Sequence, residues 1–241
     1  MPRRDDTALD RPEARAAVAK MFAHDFRNPI SALTANVSYL QAEMAEASAD
    51  LRGALQDCAL SLGMLRHLID NYVLIARLEA GEHVEACPLP LRQFVSSALS
   101  ASRELVSPSE VELRLEGEVP DEICAFELPY ATLVLKNLLV GAAAQAVGAG
   151  GEVTLRVTTG GGCARFSVCD TGPGVDEPQR AALLTLDLQL RAKSQAGLRY
   201  ARGFGLYAAG LGAEFLGGGA SAGARDGLFE IVATLPLEPA G

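Results

Sequence analysis

Two stretches of the chain place apolar residues at alternating intervals of four and three positions, the spacing of one face of an α-helix. They cover residues 22–44 and 51–72, and the short polar segment AEASAD joins them, which predicts a helical hairpin. Because a single apolar face on each helix covers the other only in part, we expect a second copy to complete a dimeric four-helix bundle. The apolar positions are Phe22, Phe26, Ile30, Leu33, Val37, Leu40, Met44, Leu51, Leu55, Cys58, Leu62, Leu65, Ile69 and Tyr72.

The pattern changes after RLEAGEHVEACPLPL, residues 77–91, whose glycine and prolines interrupt the helical spacing. Residues 91–106 predict a helix, VELRLEG predicts a strand, and residues 128–147 predict a mostly buried helix. The stretch GEVTLRVTTGGGCARFSVCD alternates apolar and polar residues on both sides of a glycine turn, which is typical of a β-hairpin. A short helix around residues 204–216 and a strand in GLFEIVATLPL complete an α+β domain.

These elements predict three parts in an α+β chain. Residues 1–11 form a disordered N-terminus, residues 12–84 the helical hairpin, and residues 85–241 the mixed α/β domain.

Composition narrows the classes of partner. The 241 residues are 49% hydrophobic, enough to build a core, and carry a net charge of −9. A negative chain lacks the electrostatic attraction that nucleic acids and anionic membranes require, so we expect protein or small-molecule partners. Five scattered cysteines without a CxxC pair favour reduced thiols and a cytoplasmic location, and no apolar stretch has the length and uniformity of a membrane span.

The segment MFAHDFRNPIS, residues 21–31, contains the strongest candidate for chemistry. His24 is predicted to face away from the apolar stripe, with Arg27 and Asn28 on the same helix face. Pro29 has no N–H for the carbonyl oxygen of Asp25, so we expect the helix to bend one turn after the histidine. A proline inside a helix costs about 3 kcal/mol, which makes a chance occurrence beside a surface histidine less attractive as an explanation.

These residues resemble a known family. FAHDFRNPISAL is similar to the phosphoacceptor box of two-component sensor histidine kinases, and LIDNYVLIARLEAGEHVEACPLPLRQFV is similar to the second helix and linker. VCDTGPGV resembles the adenine-binding box, and GFGLYAAG resembles a weakened glycine box of the nucleotide lid. The resemblance extends from about residue 12 onward and implies a dimeric phosphoacceptor hairpin followed by an ATPase-like α/β-sandwich domain.

The resemblance implies a role for each residue of the phosphoacceptor box. His24 would attack a phosphoryl group, Asp25 would hold its second ring nitrogen, Asn28 would place a water or a phosphoryl oxygen, and Arg27 would screen phosphate charge. The residues implied for nucleotide binding are Asn137, Asp170, Gly172, Gly174, Gly203 and Gly205, with Asn137 as the candidate metal ligand. If that site works, its cofactors are ATP and magnesium.

The sequence departs from the family on the helix that should hold magnesium. The family pattern is Asn-Leu-Leu-x-Asn-Ala with a basic residue three positions after the second asparagine, whereas NLLVGAAAQA has Gly141 and Ala144 at those two positions. Neither residue can coordinate a metal or neutralise a phosphate through its side chain. Cations that could substitute lie in the predicted lid and are Arg180, Arg191, Lys193, Arg199 and Arg202.

Three functions are compatible with this sequence. The chain could relay a phosphoryl group between His24 and the aspartate of response-regulator receiver domains, without ATP or with weak dependence on it. It could instead be a histidine kinase that phosphorylates His24 from magnesium ATP. The third alternative is a non-catalytic protein that binds a receiver, and the intact box around His24 argues against it.

Overall fold

The computed structural model describes residues 12–44, 48–106, 111–146, 151–180, 182–186 and 204–238. The disordered N-terminus predicted for residues 1–11 lies outside the described residues. The chain divides into two compact units, Met1–Glu82 and His83–Gly241, and each is described below by itself.

The first unit is a pair of long helices. Helix α1 spans Pro12–Glu43 and continues without interruption through Pro29, and helix α2 spans Ala49–Glu79. Ser48 caps the start of α2 by accepting a hydrogen bond from the backbone N–H of Leu51 at 3.4 Å, which satisfies one of the N–H groups left free at a helix start.

The contact between these helices differs from the simplest interpretation of the apolar stripe. On α1 the buried side chains are the small residues Ala16, Ala19 and Ala23 together with Ile30, whereas Leu33 is 52% exposed. The large apolar side chains are therefore exposed on the hairpin, and together they are called the uncovered apolar face below. Its members are Met21, Phe22, Phe26, Leu33, Tyr39, Leu40, Leu51, Leu65, Leu68 and Tyr72.

The second unit is an α/β structure with four helices and two sheets among its described residues. Its elements are β1 (Cys87–Pro90), α3 (Leu91–Val106), β2 (Glu112–Glu116), β3 (Ile123–Phe126), α4 (Leu128–Ala146), β4 (Glu152–Gly160), β5 (Cys163–Asp170), α5 (Glu177–Arg180), α6 (Gly205–Phe215), β6 (Gly219–Arg225) and β7 (Leu228–Pro236). The larger sheet has the strand order β2-β4-β5-β7-β6, in which only β2 and β4 are parallel. Strands β1 and β3 form a two-stranded antiparallel sheet.

Helix α4 forms the centre of this unit. It packs on β4 and β5 and contacts both α3 and α6, and most of its residues are buried. The rings of Phe94, Phe126 and Phe166 meet edge to face with centroids 5.1–6.5 Å apart, which joins α3 to both sheets through one aromatic cluster. Helix α4 carries Asn137, and strand β5 ends at Asp170, two residues of the predicted nucleotide site.

The α+β fold class predicted from the sequence is confirmed, with a helical hairpin followed by a mixed α/β domain. Helices α3 and α4 and the β4-β5 hairpin lie where the apolar pattern places them. The strands β1, β3 and β6 were not predicted. Among the described residues, no helix has the length and apolar character needed to cross a membrane.

Candidate functional site

His24 lies on the surface of α1 with its imidazole held from one side. Its side chain is 74% exposed, and Nδ1 is 3.2 Å from Oδ1 of Asp25. A carboxylate oxygen can only accept a hydrogen bond, so a neutral imidazole in this geometry carries its proton on Nδ1. The Nε2 lone pair is then free to act as a nucleophile.

Asn28 follows His24 by one helical turn and is exposed like it. Residues four positions apart lie on the same side of an α-helix, so the amide of Asn28 and the imidazole of His24 face the same solvent region. Both side chains are therefore accessible to a partner that approaches this side of α1.

Arg27 is tied to the second helix. Its Nη2 donates a hydrogen bond to Oδ1 of Asp70 on α2 at 2.7 Å. The sequence indicated Arg27 as a screen for phosphate charge but did not reveal Asp70, which lies 43 positions away. A separation of that length carries no local spacing signal, so only the pairing of the two helices brings these residues together.

A second cation on the same side of α1 is also held by an acid. Lys20 precedes His24 by one turn, and its Nζ donates to both carboxylate oxygens of Glu82 at 2.8 and 2.6 Å. Arg77 Nε donates to Oε2 of the same carboxylate at 3.2 Å. The hydrogen bond from Lys20 is the main cause of a lowered pKa of Glu82, and the charge of Lys20 and the contact with Arg77 act in the same direction.

In the second unit, Asn137 is enclosed between α4 and the start of α6. Its side chain is almost fully buried, and a Cβ built on Gly205 would lie 2.9 Å from its Oδ1. Phe204, the residue before Gly205, adopts a left-handed backbone conformation with φ of 57°. The first turn of α6 therefore lies directly on the asparagine that the family resemblance assigns to magnesium.

Asp170 ends β5 and begins the loop that resembles the adenine-binding box. Its carboxylate is buried and accepts a hydrogen bond from the backbone N–H of Gly172 at 2.9 Å. A Cβ at Gly172 would come within 2.8 Å of the backbone oxygen of Gln145, so the loop packs against the end of α4. Gly174 has φ of +76°, a conformation that glycine adopts without strain.

The described residues offer fewer groups to a magnesium nucleotide than the family pattern does. Phosphate and water oxygens supply most of the near-octahedral shell of magnesium in nucleotide sites, and the protein oxygen implied here, Oδ1 of Asn137, lies 2.9 Å from where a Cβ on Gly205 would be. Gly141 and Ala144 add neither an oxygen nor a cation. Within the ranges that the structure describes, no group of three or more His, Cys, Asp or Glu side chains could hold a metal ion. Gly203 and the lid cations Arg191, Lys193, Arg199 and Arg202 lie outside the described residues.

His83 contacts an acid that lies far from it in the sequence. Its Nδ1 is 2.7 Å from Oε1 of Glu127, whose Oε2 accepts a hydrogen bond from the backbone N–H of Val84 at 2.7 Å. The imidazole also stacks on Phe215 with ring centroids 4.4 Å apart. These contacts hold the start of the second unit against the residue before α4 and against α6, and Glu127 lies 44 positions from His83 in the sequence.

The structure thus groups the predicted residues into two sets. His24, Asp25, Arg27 and Asn28 share α1 in the first unit. In the second unit, Asn137 and Gly205 lie where α4 and α6 meet, and Asp170, Gly172 and Gly174 lie where β5 ends.

The first unit matches a known domain family. Residues 14–81 match the model of the His Kinase A (phospho-acceptor) domain. The chain is 29% identical over 175 residues to the sensor protein kinase PmrB of Pseudomonas aeruginosa, with 72% of this chain and 35% of PmrB covered. It is 26% identical over 164 residues to the sensor histidine kinase ZraS of Escherichia coli, with 68% and 34% covered. The chain therefore spans about a third of the length of these relatives.

Solved structures share the fold. Full-length ShkA in complex with AMPPNP superposes with a TM-score of 0.64 at 21% identity, over 96% of this chain and 47% of ShkA. The catalytic domain of the histidine kinase ThkA superposes with a TM-score of 0.54 at 16% identity, over 65% of this chain and the whole of that domain.

Proposed function

We propose that this chain, which has the two-domain core of a two-component histidine kinase, relays a phosphoryl group between His24 and the aspartate of a response-regulator receiver domain. One observation carries the proposal. An exposed imidazole oriented by a carboxylate occurs in a chain whose α4 has Gly141 and Ala144 where the family pattern has an asparagine and a basic residue. Transfer of a phosphoryl group from a receiver requires the oriented imidazole but does not require a site for magnesium ATP.

The chemistry at His24 follows from its tautomer. The Nε2 lone pair attacks the phosphorus of an aspartyl phosphate on the receiver, the N–P bond forms, and the P–O bond to the aspartate breaks. The receiver carboxylate leaves with the electron pair of that bond. The imidazole then releases its Nδ1 proton through Oδ1 of Asp25 to water, and reversal of these steps passes the phosphoryl group to another receiver.

Transfer between two receivers avoids the difficulty of ATP. Each receiver brings its own site for the phosphoryl group, so the hairpin needs to supply only a nucleophile and a docking surface. Autophosphorylation would require stabilisation of a charged phosphate by α4, and loss of one such group typically slows a reaction by about 100- to 1000-fold. Because neither Gly141 nor Ala144 supplies such a group, we infer that labelling of His24 from magnesium ATP is slow or absent.

The two remaining residues of the box, Asn28 and Arg27, can act on the phosphoryl group on either partner. Asn28 faces the same solvent region as His24 and can position a water for hydrolysis of the receiver's acyl phosphate. Arg27 can place guanidinium N–H groups beside the phosphoryl oxygens.

We also propose that two copies of the chain form a homodimer through the hairpin. The uncovered apolar face comprises ten large side chains, among them the stacked rings of Phe22 and Phe26, and apolar surface beyond isolated side chains usually marks an interface. A second hairpin that packs on it would complete a four-helix bundle.

The test uses the full chain and a panel of purified receiver domains phosphorylated with acetyl phosphate. We expect radiolabel from at least one phosphorylated receiver to appear on the chain in an acid-labile, alkali-stable form, and we expect His24→Gln to abolish it. In parallel, the chain is incubated with radiolabelled ATP and magnesium. Rapid labelling from ATP that is lost in both His24→Gln and Asp170→Asn would make the chain a kinase and overturn the relay. Absence of label from every receiver and from ATP would favour the non-catalytic alternative.

A further inference from the structure

We propose that Asp70 on α2 is a positioning residue for phosphoryl transfer at His24, because it fixes the guanidinium of Arg27 beside the imidazole. The inference rests on the proposed function and adds to it a residue outside the phosphoacceptor box. It starts from the 2.7 Å hydrogen bond between Arg27 Nη2 and Asp70 Oδ1.

The position of Arg27 on α1 gives this bond its importance. Residues three apart on a helix have Cβ atoms about 5–6 Å from each other and share a face, so Arg27 is a neighbour of His24. An arginine side chain has several rotatable bonds and loses substantial rotamer entropy when it is held in one conformation. The bond to Asp70 holds the guanidinium before a phosphoryl group arrives, so the ordering does not oppose transfer.

The exposed fractions of the two side chains are consistent with Asp70 holding Arg27 in place and Arg27 contacting the phosphoryl group. The Asp70 side chain is 23% exposed and the Arg27 side chain 46% exposed, so the carboxylate lies deeper than the guanidinium. Asp70 engages Nη2, and the planar guanidinium has further N–H groups on its other edge. A phosphoryl group on Nε2 of His24 could accept from that edge, in the paired geometry that arginine favours with phosphate.

A guanidinium held in place should change the rates of phosphoryl transfer to and from His24 more than the equilibrium between them. The phosphoryl group carries negative charge as it moves between nitrogen and oxygen, and a fixed donor stabilises that passage in both directions. Loss of Asp70 should therefore slow arrival and departure by similar factors. The ratio of phosphorylated His24 to phosphorylated partner at equilibrium should change little.

A second ion pair between the same helices provides a matched control. Arg15 on α1 and Glu79 on α2 lie 3.8 Å apart, and Arg15 precedes His24 by nine positions. The variant Glu79→Gln removes a carboxylate from α2 as Asp70→Asn does, but at a place too far from His24 to act on its phosphoryl group.

The experiment uses phosphoramidate as the probe, because this small donor phosphorylates imidazole directly and needs no receiver. Nε2 attacks phosphorus, the P–N bond to the leaving amino group breaks, and the Nδ1 proton of the imidazole leaves with ammonia. The rate of labelling of the full chain is followed by ³¹P NMR at several donor concentrations. Thermal unfolding and far-UV circular dichroism are measured on the same samples.

We expect Asp70→Asn to lower the maximal labelling rate by about tenfold, corresponding to about 1.4 kcal/mol, without a change in helical content. Asp70→Glu should restore part of the rate. Glu79→Gln should leave the rate unchanged. The double variant Arg27→Ala with Asp70→Asn should be no slower than Arg27→Ala alone, since Asp70 acts only through the arginine.

A charge exchange separates positioning from stability. Arg27→Asp with Asp70→Arg can restore the ion pair and the melting temperature, but it moves the cation to α2, so we expect the slow labelling rate to persist. Recovery of the full rate in this variant, or an unchanged rate in Asp70→Asn, would overturn the proposal while the labelled wild type upheld the function of His24. Failure of the wild type to take phosphate at His24 would overturn the proposed function and this inference together.

Discussion

Asn137 and Gly205 are so close that a methyl group on Gly205 would lie 2.9 Å from the side-chain oxygen of the asparagine. The amide is almost fully buried, so it has little room to withdraw. We therefore expect Gly205→Ala to destabilise the second unit by about 1–3 kcal/mol, the range for added volume in a packed core. Urea denaturation gives the shift of the unfolding midpoint.

Gly210 in the same helix supplies the control. A Cβ there would meet Leu184 at 3.4 Å, an ordinary contact, and alanine favours a helix over glycine by up to about 1 kcal/mol. Gly210→Ala should be neutral or stabilising. Equal losses of stability in Gly205→Ala and Gly210→Ala would mean that helix α6 tolerates no added side chain. The contact with Asn137 would then not explain the loss in Gly205→Ala.

The missing donors on α4 can be restored. Gly141→Asn with Ala144→Lys returns an amide oxygen and a cation to the positions where the family carries them. We expect affinity for magnesium ATP to rise at least tenfold over the wild type, as measured by isothermal titration calorimetry. Asp170→Asn in the same background should remove the gain, and no gain at all would show that α6 on Asn137 closes the site by itself.

Asn28 should affect loss of phosphate more than its receipt. Attack by Nε2 of His24 does not need an ordered water, whereas hydrolysis of a receiver's acyl phosphate does. We expect Asn28→Ala to take up phosphate at a rate near that of the wild type and to slow the loss of phosphate from the receiver by tenfold or more. Asn36→Ala, at another exposed position of α1, should change neither rate.

The uncovered apolar face should hold two chains together. Leu33 and Leu65 are 52% and 43% exposed in a single hairpin, and burial of such side chains contributes about 1.5–3 kcal/mol each. Leu33→Glu with Leu65→Glu should convert a dimer to a monomer by light scattering at micromolar concentration. Ser38→Glu, on the far side of α1 from Leu33, should remain dimeric, and a monomeric wild type with an intact helical spectrum would contradict the dimer.

Glu82 gives the hairpin a dependence on pH. Its pKa is lowered from the value of 4.5 expected for a free carboxyl, chiefly by the hydrogen bond from Lys20. A lowered pKa in the folded state means that the stabilisation is complete above pH 4.5 and is lost as the pH falls through the folded-state pKa. We expect Glu82→Gln to cost about 0.2–1 kcal/mol at pH 7, the range for exposed ion pairs, and to cost less as the solution is acidified well below pH 4.5.

The difference between wild type and Glu82→Gln is the relevant measurement, because other carboxyl groups titrate in the same range. Glu43→Gln, at the other end of the hairpin, serves as the reference substitution. A cost for Glu82→Gln that stays constant with pH would rule out the ion pair as its source.

The sequence predicts helices well in this chain because each long helix has a continuous apolar pattern. Strand β6 shows where the same reasoning fails. Its residues, GASAGAR, contain no large apolar side chain and alternate only alanine with glycine or serine, and it forms a strand because β7 offers it backbone hydrogen bonds. Strand β1, CPLP, is four residues long with two prolines, and it pairs with the equally short β3.

The candidate site divides in the same way. His24, Asp25 and Asn28 follow one another along a helix, so local spacing predicts their shared environment. Asp70 and the pair formed by His83 and Glu127 depend on contacts between residues more than 40 positions apart. The apolar stripe on α1 predicts an amphipathic helix, but it does not reveal that small alanines face α2 and that the large side chains are left outside.

The exposure of His24 sets a limit on how long a signal could persist on this chain. The His24 side chain is 74% exposed, so a phosphoryl group on Nε2 would be open to water even with the guanidinium of Arg27 beside it. A phosphoramidate in water hydrolyses faster as the solution becomes more acidic. The lifetime of a phosphoryl group on His24 would then depend on the pH and temperature of the surrounding solution. The solution, more than the protein, would set how long the phosphorylated state persists.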